Sequence, residues 1–343
     1  MKETRLGQLP RRKQEHLDIC LAGDVSSAIT SGAERYRLVP RALPELALDQ
    51  IDLSTKLLGK LLKAPLLVSS MTGGTQRAGH LNRILAESAQ HLGIAMGLGS
   101  LRAAIEDPTL LPTYQVRDIA PDILLLANLG AVQLNYGISP DDCQRAVDNV
   151  GADALILHLN PLQEALQPEG ETDFRGLHAK IAKVCQELSV PVVVKEVGHG
   201  ISGSVAAMLQ DAGVAAIDVA GAGGTSWSHV EARRDPSIAA VADAFRTWGI
   251  PTFEALVQVR ATTPDLPIIA SGGITNGLDA AKALALGASA VGCARPWLRA
   301  AAAGPDILTS ALDTMIRQLR IALFCCGASS PSALGSHCIE ERD

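Results

Sequence analysis

Four groups of residues carry types and spacings that can do chemistry. In His158-x-Asn160-Pro161-Leu162-Gln163-Glu164, a period of two puts His158 and Asn160 on one face of a strand. Gln163 and Glu164 then follow in the loop above it. One carboxylate beside an amide and an imidazole can hold Mg²⁺ through oxygens and waters, with substrate phosphates completing the shell. The same glutamate can instead be a helix-start acid complementing the macrodipole. Lys195 ends the apolar run Val192-Val193-Val194, where an unpaired charge is costly. Its partner is either a carboxylate such as Glu196 or a cofactor. A lysine there can hold a flavin electron-rich by placing positive charge at the ring's N1/C2 carbonyl edge. The turns Ser271-Gly272-Gly273-Ile274 and Gly292-Cys293-Ala294-Arg295 free backbone N–H groups at helix starts, which attract anions. Each turn alone is also compatible with simple chain reversal. Lastly, Arg11-Arg12-Lys13-Gln14-Glu15-His16 can bond phosphate oxygens, or it is a solvated basic tail.

These groups need a frame that brings them together. Eight β-rich runs recur, at 65–71, 93–100, 122–130, 154–160, 191–198, 216–223, 267–274 and 290–296. Most starts are near 30 residues apart, the size of one βα unit. The stretches between them, such as 78–92 and 202–213, read as amphipathic helices, the second stopping at Gly213. Eight such repeats predict an α/β protein with a (β/α)8 TIM barrel. In that frame Met71, Thr72, Gly73, Ser100, Asn128, His158, Asn160, Lys195 and Thr225 all fall at or just after strand C-terminal ends. Barrel active sites lie there, and a phosphate site often follows strands seven and eight. The glycine turns therefore predict a phosphate-bearing cofactor. Residues 1–64 form an N-terminal arm and extension packing on the barrel, residues 65–325 the catalytic barrel, and 326–343 a polar tail predicted to be disordered, all within one domain. Residues 224–250 make a long loop after strand six, predicted to be a lid or binding loop.

Composition limits the partners. The 343 residues are 47% hydrophobic and only 3% aromatic, so aliphatic side chains must fill the core of a sheet covered on both faces. A net charge of −6 and the lack of a basic stripe interleaved with aromatics argue against nucleic acid. No apolar run reaches the roughly 18 residues that would suggest a membrane span. The charged start lacks a signal-peptide core, which predicts a cytoplasmic protein. Seven cysteines without a C-x-x-C pair read as thiols, not a disulfide framework.

Several motifs occur in order: Arg12-Lys13-x-Glu15-His16, Ala42-Leu43-Pro44-Glu45, Met71-Thr72-Gly73-Gly74, Gly99-Ser100-x-Arg102 and Asn128-Leu129-Gly130-Ala131. They continue with His158 through Gly170, Val194-Lys195-Glu196-Val197-Gly198 and Asp218-Val219-x-Gly221 through Trp227. In these the chain resembles the type 2, FMN-dependent isopentenyl-diphosphate delta-isomerases, from about residue 11 to about residue 300. The resemblance implies interconversion of isopentenyl and dimethylallyl diphosphate in isoprenoid biosynthesis. It implies FMN, Mg²⁺, and NADPH (or NADH) as reductant, and a homo-oligomer, tetramer or octamer. FMN would contact Met71, Thr72, Gly73, Ser100, Asn128, Lys195, Ala220, Thr225, Gly272, Gly273, Ala294 and Arg295. The diphosphate substrate would contact Arg12, Lys13, His16, Ser100, Arg102, His158 and Asn160. Gln163 would lie by the reacting carbons, with Lys195 stabilising the reduced ring, and Glu164 would bind the metal. Two positions depart from the family pattern. Ala220 stands where serine is usual, and Arg295 stands where glycine is usual. An FMN-dependent oxidoreductase of the hydroxy-acid-oxidising kind is the alternative. It would need a base such as His199 or His229.

Overall fold

In the computed structural model, which describes residues 5–342, eight parallel strands close on themselves. They are Leu66–Val68, Ala95–Gly97, Leu125–Gly130, Ala154–Leu159, Val192–Glu196, Ala216–Asp218, Ile268–Ser271 and Ala290–Cys293. The eighth pairs with the first, Gly292 opposite Leu67, so no edge is left unpaired. Each strand falls within one of the predicted runs. Nearly every strand residue is buried, as expected where helices cover the outside and side chains fill the inside. Flanking helices begin and end where local chemistry directs. Gln76–Leu92 starts at Thr75, whose hydroxyl accepts from Ala78 N, and stops at left-handed Gly93.

Register positions the site. Gly130 lies opposite His158, His158 opposite Lys195, and Lys195 opposite Asp218. Residues paired across neighbouring strands face the same side of a sheet, so these form one row at the strands' C-terminal ends. At the other end, the hairpin Thr55–Leu57 and Lys60–Leu62 inserts Leu57 and Leu62 among Leu67, Ala95, Leu124, Ala154 and Val193. It closes the barrel floor with aliphatic side chains. The N-terminal extension is thus partly a plug.

Two segments differ from expectation. The long loop after strand six contains the helices Trp227–Arg234 and Ala239–Asp243. It is stitched to the N-terminal arm through Ser27 N to Gly224 O and Ser226 N to Val25 O, both 2.8 Å. The predicted disordered tail is ordered over its described residues. After the helix Pro305–Cys326 the chain turns, and Ile339–Glu341 pairs antiparallel with Tyr36–Leu38. Cys338 and Ile339 are buried. The partner strand is some 300 residues away in sequence, so nothing local signals the pairing. No helix among the described residues is long and apolar enough to cross a membrane.

Candidate active site

A cavity of about 410 Å³ opens at the C-terminal ends of the strands, within the range of small-molecule sites. All the predicted site residues line it, from Arg12, Lys13 and His16 on the arm to Ala294 and Arg295 after strand eight. The arm is therefore not a solvated tail. Helix Arg5–Ala22 aims Arg12, Lys13 and His16 into the cavity, while Arg11 stays exposed and pairs with Glu15.

The row from the barrel is polar and buried. His158 Nδ1 lies 2.8 Å from Asn128 Oδ1, an acceptor, so the ring donates there. Burial, then the positive charges of Lys195 and Lys13, hold the imidazole pKa down at about 3. His158 is therefore a neutral donor and acceptor, not a cation. Lys195 Nζ donates to the carbonyl of Glu196 at 2.7 Å. Its carboxylate neighbour is Asp218, at 3.9 Å. The Glu196 side chain turns away and accepts from the N–H groups of Val197, Gly198 and His199. Burial raises the Asp218 pKa, against the pull of Lys195 and the Ser271 hydroxyl.

Gln163 and Glu164 sit on a short helix, Pro161–Leu166, not in an irregular loop. Asn160 Nδ2 faces both Gln163 Oε1 at 3.1 Å and Glu164 Oε1 at 2.8 Å. Gln163 Nε2 donates to Glu231 at 3.0 Å. Glu231 is fully buried and also meets Gln167 Nε2 at 2.6 Å, His16 Nε2 at 2.9 Å and Arg234 Nε at 2.8 Å. Although burial works against it, His16, Gln163 and Arg234 bring its pKa down to about 2. It is an anion across the physiological range. Sequence reasoning missed Glu231. Its signal was its position in a loop too long for a tight βα turn, one helical turn beyond Trp227.

On the arm side, Lys13 Nζ donates to Ser100 O and lies against Tyr114 Oη, both at 2.6 Å. Burial, then Arg12 and Arg102, lower its pKa to about 7. Arg102 is bound by Glu106 and, through both terminal nitrogens, by Glu171. On the far side the chain comes close to itself at glycines. A Cβ on Gly272 would stand 2.2 Å from Gly221 O, and one on Gly273 2.5 Å from Gly223 O.

Two observations test whether the expected groups fit. Ser69 Oγ and Ser70 Oγ at the end of strand one, and Arg295 Nη1, are buried and lack a hydrogen-bond partner among the described residues. All three residues line the cavity beside the glycine turns. Unpartnered donors of this kind suit a bound polar molecule with an anionic end. Asn160 Oδ1 is likewise buried and unpartnered beside the Glu164 carboxylate. Two adjacent oxygen donors fit one side of a Mg²⁺ shell but not a closed protein cage. No group of three His, Cys, Asp or Glu side chains among the described residues could hold a metal alone. Neither His199 nor His229 lines the cavity, so neither supplies the base an oxidation of hydroxy acids would need.

The sequence profile of the FMN-dependent dehydrogenases matches residues 8–109 and 163–341. Among solved structures, a mandelate oxidase variant superposes with a TM-score of 0.67 at 21% identity, covering 99% of each chain. A flavocytochrome b2 variant gives 0.69 at 16% identity over 98% of this chain and 85% of that one. At such identities these establish the fold alone. Fold and profile define a barrel of the FMN-dependent dehydrogenase class. Isopentenyl-diphosphate delta-isomerases narrow it further. That of Synechococcus sp. is 57% identical over 95% of this chain and 94% of its own. That of Xanthobacter autotrophicus is 54% identical over 94% and 95%. The chain belongs to the isopentenyl-diphosphate delta-isomerase family.

Proposed function

We propose that the protein interconverts isopentenyl and dimethylallyl diphosphate, in the cytoplasm, as a step of isoprenoid biosynthesis. FMN, Mg²⁺ and reduction by NADPH or NADH belong to this reading. So does a homo-oligomer, tetramer or octamer, for which the exposed Ile307 and Ile321 on the last long helix offer apolar contacts. The observation that carries it is the Gln163 amide, lining the cavity with its Nε2 held on an anionic Glu231.

The reaction moves one proton onto an alkene carbon and another off an allylic carbon. Reduced FMN, when bound, would supply an acid–base group at its ring for the alkene carbon. The chain does the rest. Its N–H bond to Glu231 pushes electron density toward Gln163 Oε1, making that oxygen a better proton acceptor. Glu231 holds the amide in one orientation, and His16 and Arg234 keep Glu231 charged. Lys195, with Asp218 3.9 Å away, would bring positive charge to the ring. Met71, Thr72, Gly73, Ser100, Asn128, Ala220 and Thr225 would hold the ring, and Gly272, Gly273, Ala294 and Arg295 its phosphate. Arg12, Lys13, His16, Ser100, Arg102, His158 and Asn160 would hold the substrate diphosphate, with Mg²⁺ on Glu164. These contacts turn binding energy into orientation of the alkene.

An assay of isopentenyl diphosphate with FMN, Mg²⁺ and NADPH should yield dimethylallyl diphosphate, and omission of any one should stop it. Replacing Gln163 with Ala should lower kcat by about 100-fold or more while FMN stays bound. Near-normal turnover in that variant would remove Gln163 from the mechanism.

A further inference from the structure

Arg102 reaches the cavity carrying two carboxylates. Its Nε donates to Glu106 at 2.7 Å, and its Nη1 and Nη2 donate to the two oxygens of Glu171 at 2.8 and 2.6 Å. Glu171 is 3% exposed, so this is a buried, two-point pair. A guanidinium has five N–H groups, and three are taken. Two remain for an incoming anion, in a plane the pair has fixed.

The same residue touches the other end of the site. The backbone N–H of Glu171 donates to Glu164 Oε2 at 2.7 Å. That contact exists because the chain folds back onto the short helix at Gly170. A Cβ there would lie 1.8 Å from Glu164 O and 2.7 Å from its carbonyl carbon, so no side chain fits. Three residues earlier, Gln167 accepts from Arg12 Nη1 at 3.1 Å and donates to Glu231 at 2.6 Å. Within five residues, one strap touches both guanidinium groups, the carboxylate proposed for the metal, and the anion behind Gln163.

We infer that Glu171 is a positioning residue for the diphosphate end of the site. Its carboxylate sets the plane of Arg102, and its backbone fixes Glu164, so cation and metal ligand hold a constant separation. The inference deepens the isomerase reading, but its test does not need turnover.

The test is binding of inorganic diphosphate with Mg²⁺ to the FMN-loaded protein by calorimetry, beside steady-state kinetics on isopentenyl diphosphate. Glu171→Gln should raise both the diphosphate Kd and KM by about tenfold, the scale of losing a charge-assisted two-point bond. It should leave kcat within about twofold and FMN content unchanged, while Tm falls because a buried ion pair loses one partner. Half-saturation by Mg²⁺ should stay put, because the backbone N–H survives, whereas Gly170→Ala should shift it and weaken diphosphate as well. Glu171→Asp, keeping the charge, should recover part of the affinity. If Glu171 instead occupies the place of a substrate phosphate, Glu171→Gln will tighten diphosphate, and the inference fails. Unchanged affinity in both Glu171→Gln and Gly170→Ala overturns it too. Wild-type protein that binds diphosphate but does not turn over would refute the isomerase reading and leave this one standing.

Discussion

On the side of strands six to eight, the mouth of the barrel is lined by Gly221, Gly223, Gly224, Gly272 and Gly273. On the opposite side it is lined by Arg12, Lys13, His16, Arg102 and Glu164. The first wall is backbone brought close to backbone, and its demands are steric. The second is a set of charges, each already matched by a protein partner before any ligand arrives: Arg102 by Glu171, His16 by Glu231, Lys13 by Tyr114 and Ser100. A wall of backbone offers N–H groups whose number and direction do not change with pH. A wall of side chains can titrate and rearrange. The first suits a cofactor that stays. The second suits a substrate that must enter and leave.

The steric wall should break hardest. Gly272 has φ +108, and its would-be Cβ lies 2.2 Å from Gly221 O and 2.6 Å from Thr252 Oγ1. Gly272→Ala therefore combines a backbone conformation that side chains avoid with a clash on main chain. Together these should cost about 2–5 kcal/mol of stability and release FMN. Thermal unfolding and the absorbance of retained flavin report both. A variant that keeps its FMN at wild-type Tm would show the wall to be pliable.

The charged wall should instead show itself in pH. Lys13 carries a pKa of about 7, lowered first by burial and then by Arg12 and Arg102. A depressed lysine is protonated below that value and neutral above it, and the proposed diphosphate contact requires the protonated form. So kcat/KM should be level below pH 7 and fall above it, approaching tenfold per pH unit. His158, at about 3, is neutral throughout and contributes no limb. Lys13→Arg, which stays charged, should flatten the descent. A wild-type profile flat from pH 6 to about 9 would separate Lys13 from substrate binding.

Much of this was legible in the sequence, for reasons that differ between the walls. The eight strands were readable because aliphatic runs at βα spacing have few other folds. The glycine wall was readable because two such turns after the last strands have a known use. The charges themselves were also visible, but their partners were not. Glu171 and Glu231 lie in segments outside the βα repeat, and their contacts span 69 and 68 residues. Glu196 misled for a related reason. It is next to Lys195 in sequence, yet neighbours on a strand point to opposite faces, so the buried counter-charge is Asp218 on the adjacent strand. The tail shows the same limit, since Ile339–Glu341 is defined as a strand only by Tyr36–Leu38.

Arg295 is where the two walls mix, a charged side chain set among glycines, and it should give the smallest effect. The guanidinium is tied at one end, Nη2 donating to Ser26 Oγ at 2.7 Å, while Nη1 is buried without a partner among the described residues. Its pKa is lowered by burial first and by Arg299 next, the direction expected of a cation short of counter-charge. An anionic cofactor end beside it would relieve that shortage, whereas an intruding side chain would crowd it. The orphaned donor favours relief. Arg295→Ala should then weaken FMN by about three- to tenfold, the scale of one charged hydrogen bond, leaving Tm of the FMN-free protein nearly unchanged. The loss should shrink in high salt, because an ion–phosphate contact at a partly open rim is screened. Tighter FMN in the variant would mean that arginine crowds a place better filled by a small residue, and the wall would then be steric throughout.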